Sequence, residues 1–258
     1  MRNLTRLLCV LGLLGSLVFA ESFDETRKKA EKGDAAGQYN LGMMFRDGVG
    51  VPKDSAKATE WWRKAAEQGL AEAQFHLGFS YELGDGVPKD SAEAVKWFRK
   101  SADQGNAAAK FNLGLLYEDG NGVSKDIAEA VKWFREAADQ GHTEVQLRLG
   151  WMYRYGKGVP KDDAEAVKWF RLAANQGDAF AQLRLGLMYD SGEGVPKDLI
   201  QAHVWLNLSG AQGNDDAKKN LARIEKEMTT DQRAEATKLA EKLAREMFDR
   251  FLLEFDKP

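Results

Sequence analysis

Cysteine is nearly missing from this sequence of 258 residues, which holds a single one, Cys9. One cysteine excludes a disulfide framework within the chain and a cysteine-built metal site. Histidine is scarce too, with only His76, His142 and His203. No two of them have the i, i+4 spacing that sets imidazoles on one helix face, so no metal site is expected. Neither sign of charge dominates: 37 Lys and Arg stand against 40 Asp and Glu, a net charge of −3. A nucleic-acid partner needs a basic field and is not expected. Proline occurs five times, and four of those, Pro52, Pro88, Pro160 and Pro196, fall in one recurring loop motif.

The one long uncharged apolar run is Leu7 to Phe19, behind Arg2 and Arg6 and ending in Val18-Phe19-Ala20. It is shorter than the ~20 residues a bilayer-spanning helix needs. Its basic start, apolar middle and small-residue end predict a signal peptide over residues 1–20, and hence a periplasmic or secreted protein with no transmembrane segment after cleavage. Cleavage would also remove Cys9 and two arginines, leaving 35 basic against 40 acidic residues. A cysteine-free exported chain is held by packing alone, which suits an oxidising compartment.

What the sequence has is a period. Trp61, Trp97, Trp133, Trp169 and Trp205 recur every 36 residues. Leu-Gly pairs begin at Leu41, Leu77, Leu113, Leu149 and Leu185 with the same step, and an aromatic follows four residues after each. Each unit closes on a glycine, from Gly69 to Gly213. The copies are set at residues 33–68, 69–104, 105–140, 141–176 and 177–212. In copy two, Ala73, Leu77 and Tyr81 share one face of a first helix over 71–83. Gly78 costs that helix about 1 kcal/mol against alanine, which points to a close approach by the second helix. That second helix runs from Ser91 to Gln104, with Asp90 as N-cap, Glu93 placed for a capping box, and Ala94, Trp97 and Ala102 facing inward. The five periodic tryptophans are expected in the core.

The unit A-x3-LG-x2-Y-x2-G-x-GV-x-KD-x3-A-x2-W-x3-AA-x2-G resembles the Sel1-like repeat, a relative of the tetratricopeptide repeat. The resemblance covers residues 33 to 213. It implies an all-α, right-handed superhelical solenoid of helix hairpins, in a family whose members are typically adaptors between proteins at bacterial envelopes or host contacts. Some secreted relatives bridge each repeat with a cysteine pair, which this chain lacks. Residues 214–258 form a partial repeat and a long helix from about Thr230 to Phe255. Its Leu239, Leu243, Met247, Phe251 and Phe255 series is expected to cap the last hairpin, with a docking role as the alternative.

No chemistry is legible. GDGVPKD at 84–90 resembles a phosphate loop or metal site, but a phosphate loop follows a strand and occurs once. This loop follows a helix and has four siblings, so it reads as a turn: glycines supply positive φ, Val87 anchors, and Asp90 starts a helix. The histidines are expected on the surface. No nucleophile–base motif is present, and neither an enzyme nor a cofactor is expected; an envelope enzyme or cell-wall saccharide binder is the alternative reading.

Recognition is expected on exposed positions that vary between copies. Positions equivalent to 72, 76, 80 and 83 form a stripe displaced from the Leu77–Tyr81 face. In the tetratricopeptide-like architecture that the resemblance implies, the first helices line the concave groove. We therefore expect a protein or peptide partner along Asn40, His76, Asn112, Arg148, Met152, Tyr155, Phe180, Arg184 and Met188. Copies four and five carry two arginines in register with methionines and aromatics, which suits an acidic and apolar segment.

Overall fold

The computed structural model describes residues 22–255; the expected signal peptide, residues 1–20, lies outside them. The described residues form thirteen α-helices and no strand. After α1 (Phe23–Glu31), the copies supply α2 (Ala35–Asp47) and α3 (Ser55–Glu67), α4 (Ala71–Leu83) and α5 (Ser91–Asp103), then α6 (Ala107–Asp119) and α7 (Ile127–Ala138). Copies four and five supply α8 (Thr143–Tyr155) with α9 (Asp163–Asn175) and α10 (Ala179–Ser191) with α11 (Leu199–Ala211). The chain ends in α12 (Asp215–Ile224) and α13 (Thr230–Phe255). The fold class is the expected one, an all-α array of helix hairpins.

The chain divides into two compact units, Met1–Ala109 with Asn121–Val123, and Lys110–Gly120 with Ser124–Pro258. In the first, α1 to α5 each pack on the next; in the second, the same holds from α7 to α12, and α13 lies on α11.

Each hairpin is closed by its loop aspartate, whose N–H donates to the aromatic's carbonyl: Asp90 to Tyr81 and Asp162 to Tyr153, both at 2.9 Å. The Asp90 carboxylate then caps α5, accepting from the N–H groups of Ala92 and Glu93 at 3.0 Å. Glu93 does not return a capping-box bond as expected. It pairs with Lys96 one turn on, as Glu129 does with Lys132, because an i, i+3 cation competes for the exposed carboxylate. Gly84 and Gly86 both have φ +74°. A Cβ on Gly86 would collide with the carbonyl of Ser55, at the start of α3, so this loop also wedges against the preceding hairpin.

The close approach at the helical glycines is real, but its partner is not the periodic tryptophan. A Cβ on Gly78 would lie 2.8 Å from the Phe98 ring, and one on Gly42 would lie 2.5 Å from Trp62. Phe134, Phe170 and Leu206 fill the same place and are fully buried. The periodic tryptophans flank this knob one residue earlier. Trp97, Trp169 and Trp205 are buried, whereas Trp61 and Trp133 are only half-buried. A step of 100° along the helix carries the ring away from the glycine gap. Lys64 and Lys100 instead lie over Trp61 and Trp97, each 4.0 Å from the ring centre.

A second period holds the copies together. The Gln74 amide donates to the Ala66 carbonyl at 3.1 Å and accepts from Gln104 at 2.8 Å. Gln146 with Ala138 and Gln176, and Gln182 with Ala174 and Gln212, repeat the pattern. Copy three has Lys110 at this place, paired at 3.1 Å with Glu136.

On α13 the packed face is Ala236, Ala240, Leu243 and Met247, so Leu239 falls outside it and is exposed. Phe248, Leu252 and Leu253 also face solvent, while the side chains of Phe251 and Phe255 lie outside the described residues.

Candidate functional site

The expected stripe does not share one environment. Asn40 is exposed and Asn112 half-buried. Met152 and Met188 are each 3% exposed and belong to the core, not to a surface a partner can reach. They follow Leu149 and Leu185 by three residues, and an i+3 residue sits only about 60° round the helix from its core neighbour. Ser80 and Leu116 are buried for the same reason. Tyr155 and Phe180 are open, at 72% and 65% exposure.

The histidines also differ from expectation. His203 is buried, with Nε2 3.1 Å from Glu225, and His142 stacks on Phe111 at 5.6 Å. His76 is half-buried and stacks on Trp62 at 4.8 Å, with Tyr39 and Phe75 close by. Burial pushes its imidazole down to about 4, with the Arg46 charge adding to the effect, so the ring is neutral at physiological pH. Among the described residues no group of three or more His, Cys, Asp or Glu is placed to hold a metal ion.

Where the first helices of successive copies meet, the surface opens into recesses. In the first unit, Arg46, Trp62, Phe75, His76, Phe79, Ser80, Leu83 and Asp85 enclose about 180 Å³. In the second, Trp151, Arg154, Tyr155, Phe170, Arg184, Leu187, Met188 and Glu193 enclose about 100 Å³. The two are the same place three repeats apart: Trp62 matches Phe170, His76 matches Arg184, and Phe79 matches Leu187. The frame is common and the contents differ, neutral and aromatic in one, cationic in the other.

The two arginines of the stripe have different fates. Arg148 is spent internally: its Nε donates to Glu118 at 3.1 Å, and its guanidinium lies 5.2 Å from the Phe134 ring centre. Glu118, whose side chain is 6% exposed, is also held by Lys157. Burial alone would raise the Glu118 carboxyl, but the hydrogen bonds from Lys157 and Arg148 outweigh it and hold it below its ordinary range. Arg184 pairs with no carboxylate among the described residues. It lies over the Trp151 ring at 4.5 Å, and its Nε is buried without a hydrogen-bond partner. Trp151 in turn stacks flat on Tyr155 at 5.5 Å and meets Phe170 edge-on at 5.3 Å.

Trp151 packs on Phe170 and is also a wall of the recess. The charged residues of this recess, Arg154 and Glu193, and Glu118 at the preceding junction, are ones that sequence reasoning passed over. For Glu118 and Arg154 the signal was present: Arg46, Glu82, Glu118, Arg154 and Asp190 form one periodic column whose charge is positive in copies one and four and negative in the others.

Fold and surface together define an α-solenoid of helix hairpins with a variable first-helix face. A model of the Sel1 repeat matches residues 35–70, 71–106, 107–142, 143–178 and 179–214, and the chain belongs to the Sel1 repeat family, whose members generally serve as protein-interaction scaffolds. It is similar in structure to a protective antigen of uropathogenic Escherichia coli that displays an SLR fold, with 39% identity and a TM-score of 0.76. That similarity covers 86% of this chain and 48% of the antigen, so the chain spans about half the antigen's length. A Sel1 repeat protein from Oxalobacter formigenes is 41% identical, with a TM-score of 0.62, over 74% of this chain and 76% of that one. No curated protein matches the chain.

Proposed function

We propose that this protein is an exported, non-catalytic scaffold of the bacterial envelope or host interface that binds a protein segment along its first-helix face. The observation that carries this reading is the pair of equivalent recesses, framed alike and lined differently by His76 and Arg184. A repeated frame with variable contents suits recognition by different side chains at different junctions, and a preformed recess limits the ordering cost of binding. Export rests on the charge and apolarity of residues 1–20.

Capture from envelope extract and from host secretions, followed by a dissociation constant for the purified partner, tests the reading. Tyr155→Ala with Phe180→Ala, on the first-helix face, should weaken binding at least ~10-fold, as expected for exposed aromatic anchors. Lys132→Ala with Lys168→Ala, on exposed second-helix positions, should leave it unchanged. Equal effects from the two pairs would refute a first-helix interface. Fractionation with N-terminal sequencing tests export: a cytoplasmic protein still carrying Met1 would refute it.

A further inference from the structure

We propose that the recess between copies four and five binds a carboxylate carried beside an apolar side chain of a partner protein, with Arg184 as its anchor. This rests on the scaffold reading and names the chemistry of one of its subsites.

The molecule holds its own template for the bound state. At the preceding junction, Arg148 occupies the position equivalent to Arg184, over Phe134, the equivalent of Phe170. There the chain itself supplies the carboxylate, Glu118 from α6, which the arginine and Lys157 grip together. One repeat later the residue in the place of Glu118 is Arg154. Arg154 turns away to Asp163, at 2.9 Å, and to Glu193. The second junction thus has no carboxylate at the position of Glu118, while the arginine that would receive it remains.

The state of Arg184 fits that vacancy of charge. Its guanidinium lies over the Trp151 ring and its Nε is shielded from water without a partner. A contact with the ring face uses none of the N–H groups, and a planar fork meets a carboxylate with two parallel hydrogen bonds. The two acidic groups nearby, Asp163 and Glu193, are balanced by Arg154 together with Lys161, which lies 3.2 Å from Asp163, and so oppose an incoming anion weakly. Around the cation, Tyr155 and Leu187 offer apolar surface to a neighbouring side chain. A carboxylate alone would gain little at a half-exposed arginine; carboxylate plus apolar group uses both parts of the recess.

Selection of random short peptides on the purified protein tests the proposal. The expected pool is enriched in Asp or Glu adjacent to an aliphatic or aromatic residue. Arg184→Gln, verified as folded by its unfolding temperature, should lose that enrichment and bind the selected peptide at least ~10-fold more weakly, and Arg184→Lys should fall between. The peptide with Gln in place of its acid should bind the unaltered protein as weakly as the original binds the Gln variant. Synthesis with a free or an amidated C-terminus separates the two sources of carboxylate: loss on amidation assigns a chain terminus, and no loss assigns an acidic side chain. A pool with neither acidic enrichment nor dependence on a free C-terminus, or one unchanged by Arg184→Gln, overturns the proposal. If a captured natural partner binds the Gln variant undiminished, this inference fails and the scaffold reading stands. If no partner binds the first-helix face, the scaffold reading itself fails.

Discussion

At the scale of single residues, two sites show how little room the framework leaves. Gly78 has the Phe98 ring where its Cβ would be, and neither a fully buried ring nor a helix backbone can retreat far. Gly78→Ala should therefore destabilise by about 1–3 kcal/mol despite alanine's better helix propensity. Urea denaturation measures this, and a stabilised variant would show that the hairpin can open at no cost. His76 carries a pH dependence. Its folded imidazole titrates at about 4 against 6.5 for the free side chain, so the unfolded chain binds the proton first. Stability is then complete above pH 6.5 and is lost as pH falls from there towards 4. A full shift of this size would be worth about 3 kcal/mol, and partial hydration of the half-buried ring reduces it to about 1–2 kcal/mol. His76→Asn, the residue found at the equivalent Asn40 and Asn112, should flatten the stability profile between pH 6.5 and 4.5 relative to the parent. Parallel profiles would refute the assignment.

Within the helices, the pattern that identified the repeat is not the pattern that carries most of the packing. The periodic tryptophans announce the period because they are rare, but the residue after each one fills the glycine gap. Phe134→Ala should cost about 3–5 kcal/mol, and Trp133→Ala, at a half-buried site, distinctly less. Thermal unfolding of the two variants decides the order, and a larger loss from Trp133→Ala would reverse it. The glutamine period was equally open to inspection and went unread, since glutamine is ordinarily a surface residue. Its meaning needs the Ala66 carbonyl and the Gln104 amide in place around Gln74. The helix ranges themselves were legible: 71–83 and 230–255 were readable from apolar spacing and glycine stops, because local signals mark helix ends. Burial along the stripe was not, since Met152 and Tyr155 are three residues apart on α8 and have opposite environments.

Across the whole molecule, a repeat array has the difficulty that its last copy presents a face built to be covered. Here α13 covers α11 through Ala236, Ala240, Leu243 and Met247. A chain ended after Thr229 should uncover the face of α11 on which α13 packs, bind a hydrophobic dye, and unfold at a lower temperature than the full chain. A truncated protein with unchanged unfolding temperature and no dye binding would make α13 an appendage and not a cap.

The sequence by itself determined the hairpin, its period, the loop that turns it and the family it belongs to. Those features depend on contacts inside one unit or with its nearest neighbour, and five copies state them redundantly. Only the tertiary structure decided which variable residues are available to a partner. Arg148 and Arg184 are indistinguishable in their own repeats. One is neutralised by Glu118, thirty residues earlier, and the other lies over Trp151 with no carboxylate partner among the described residues, because the copy before each supplies a different side chain at the same point in space.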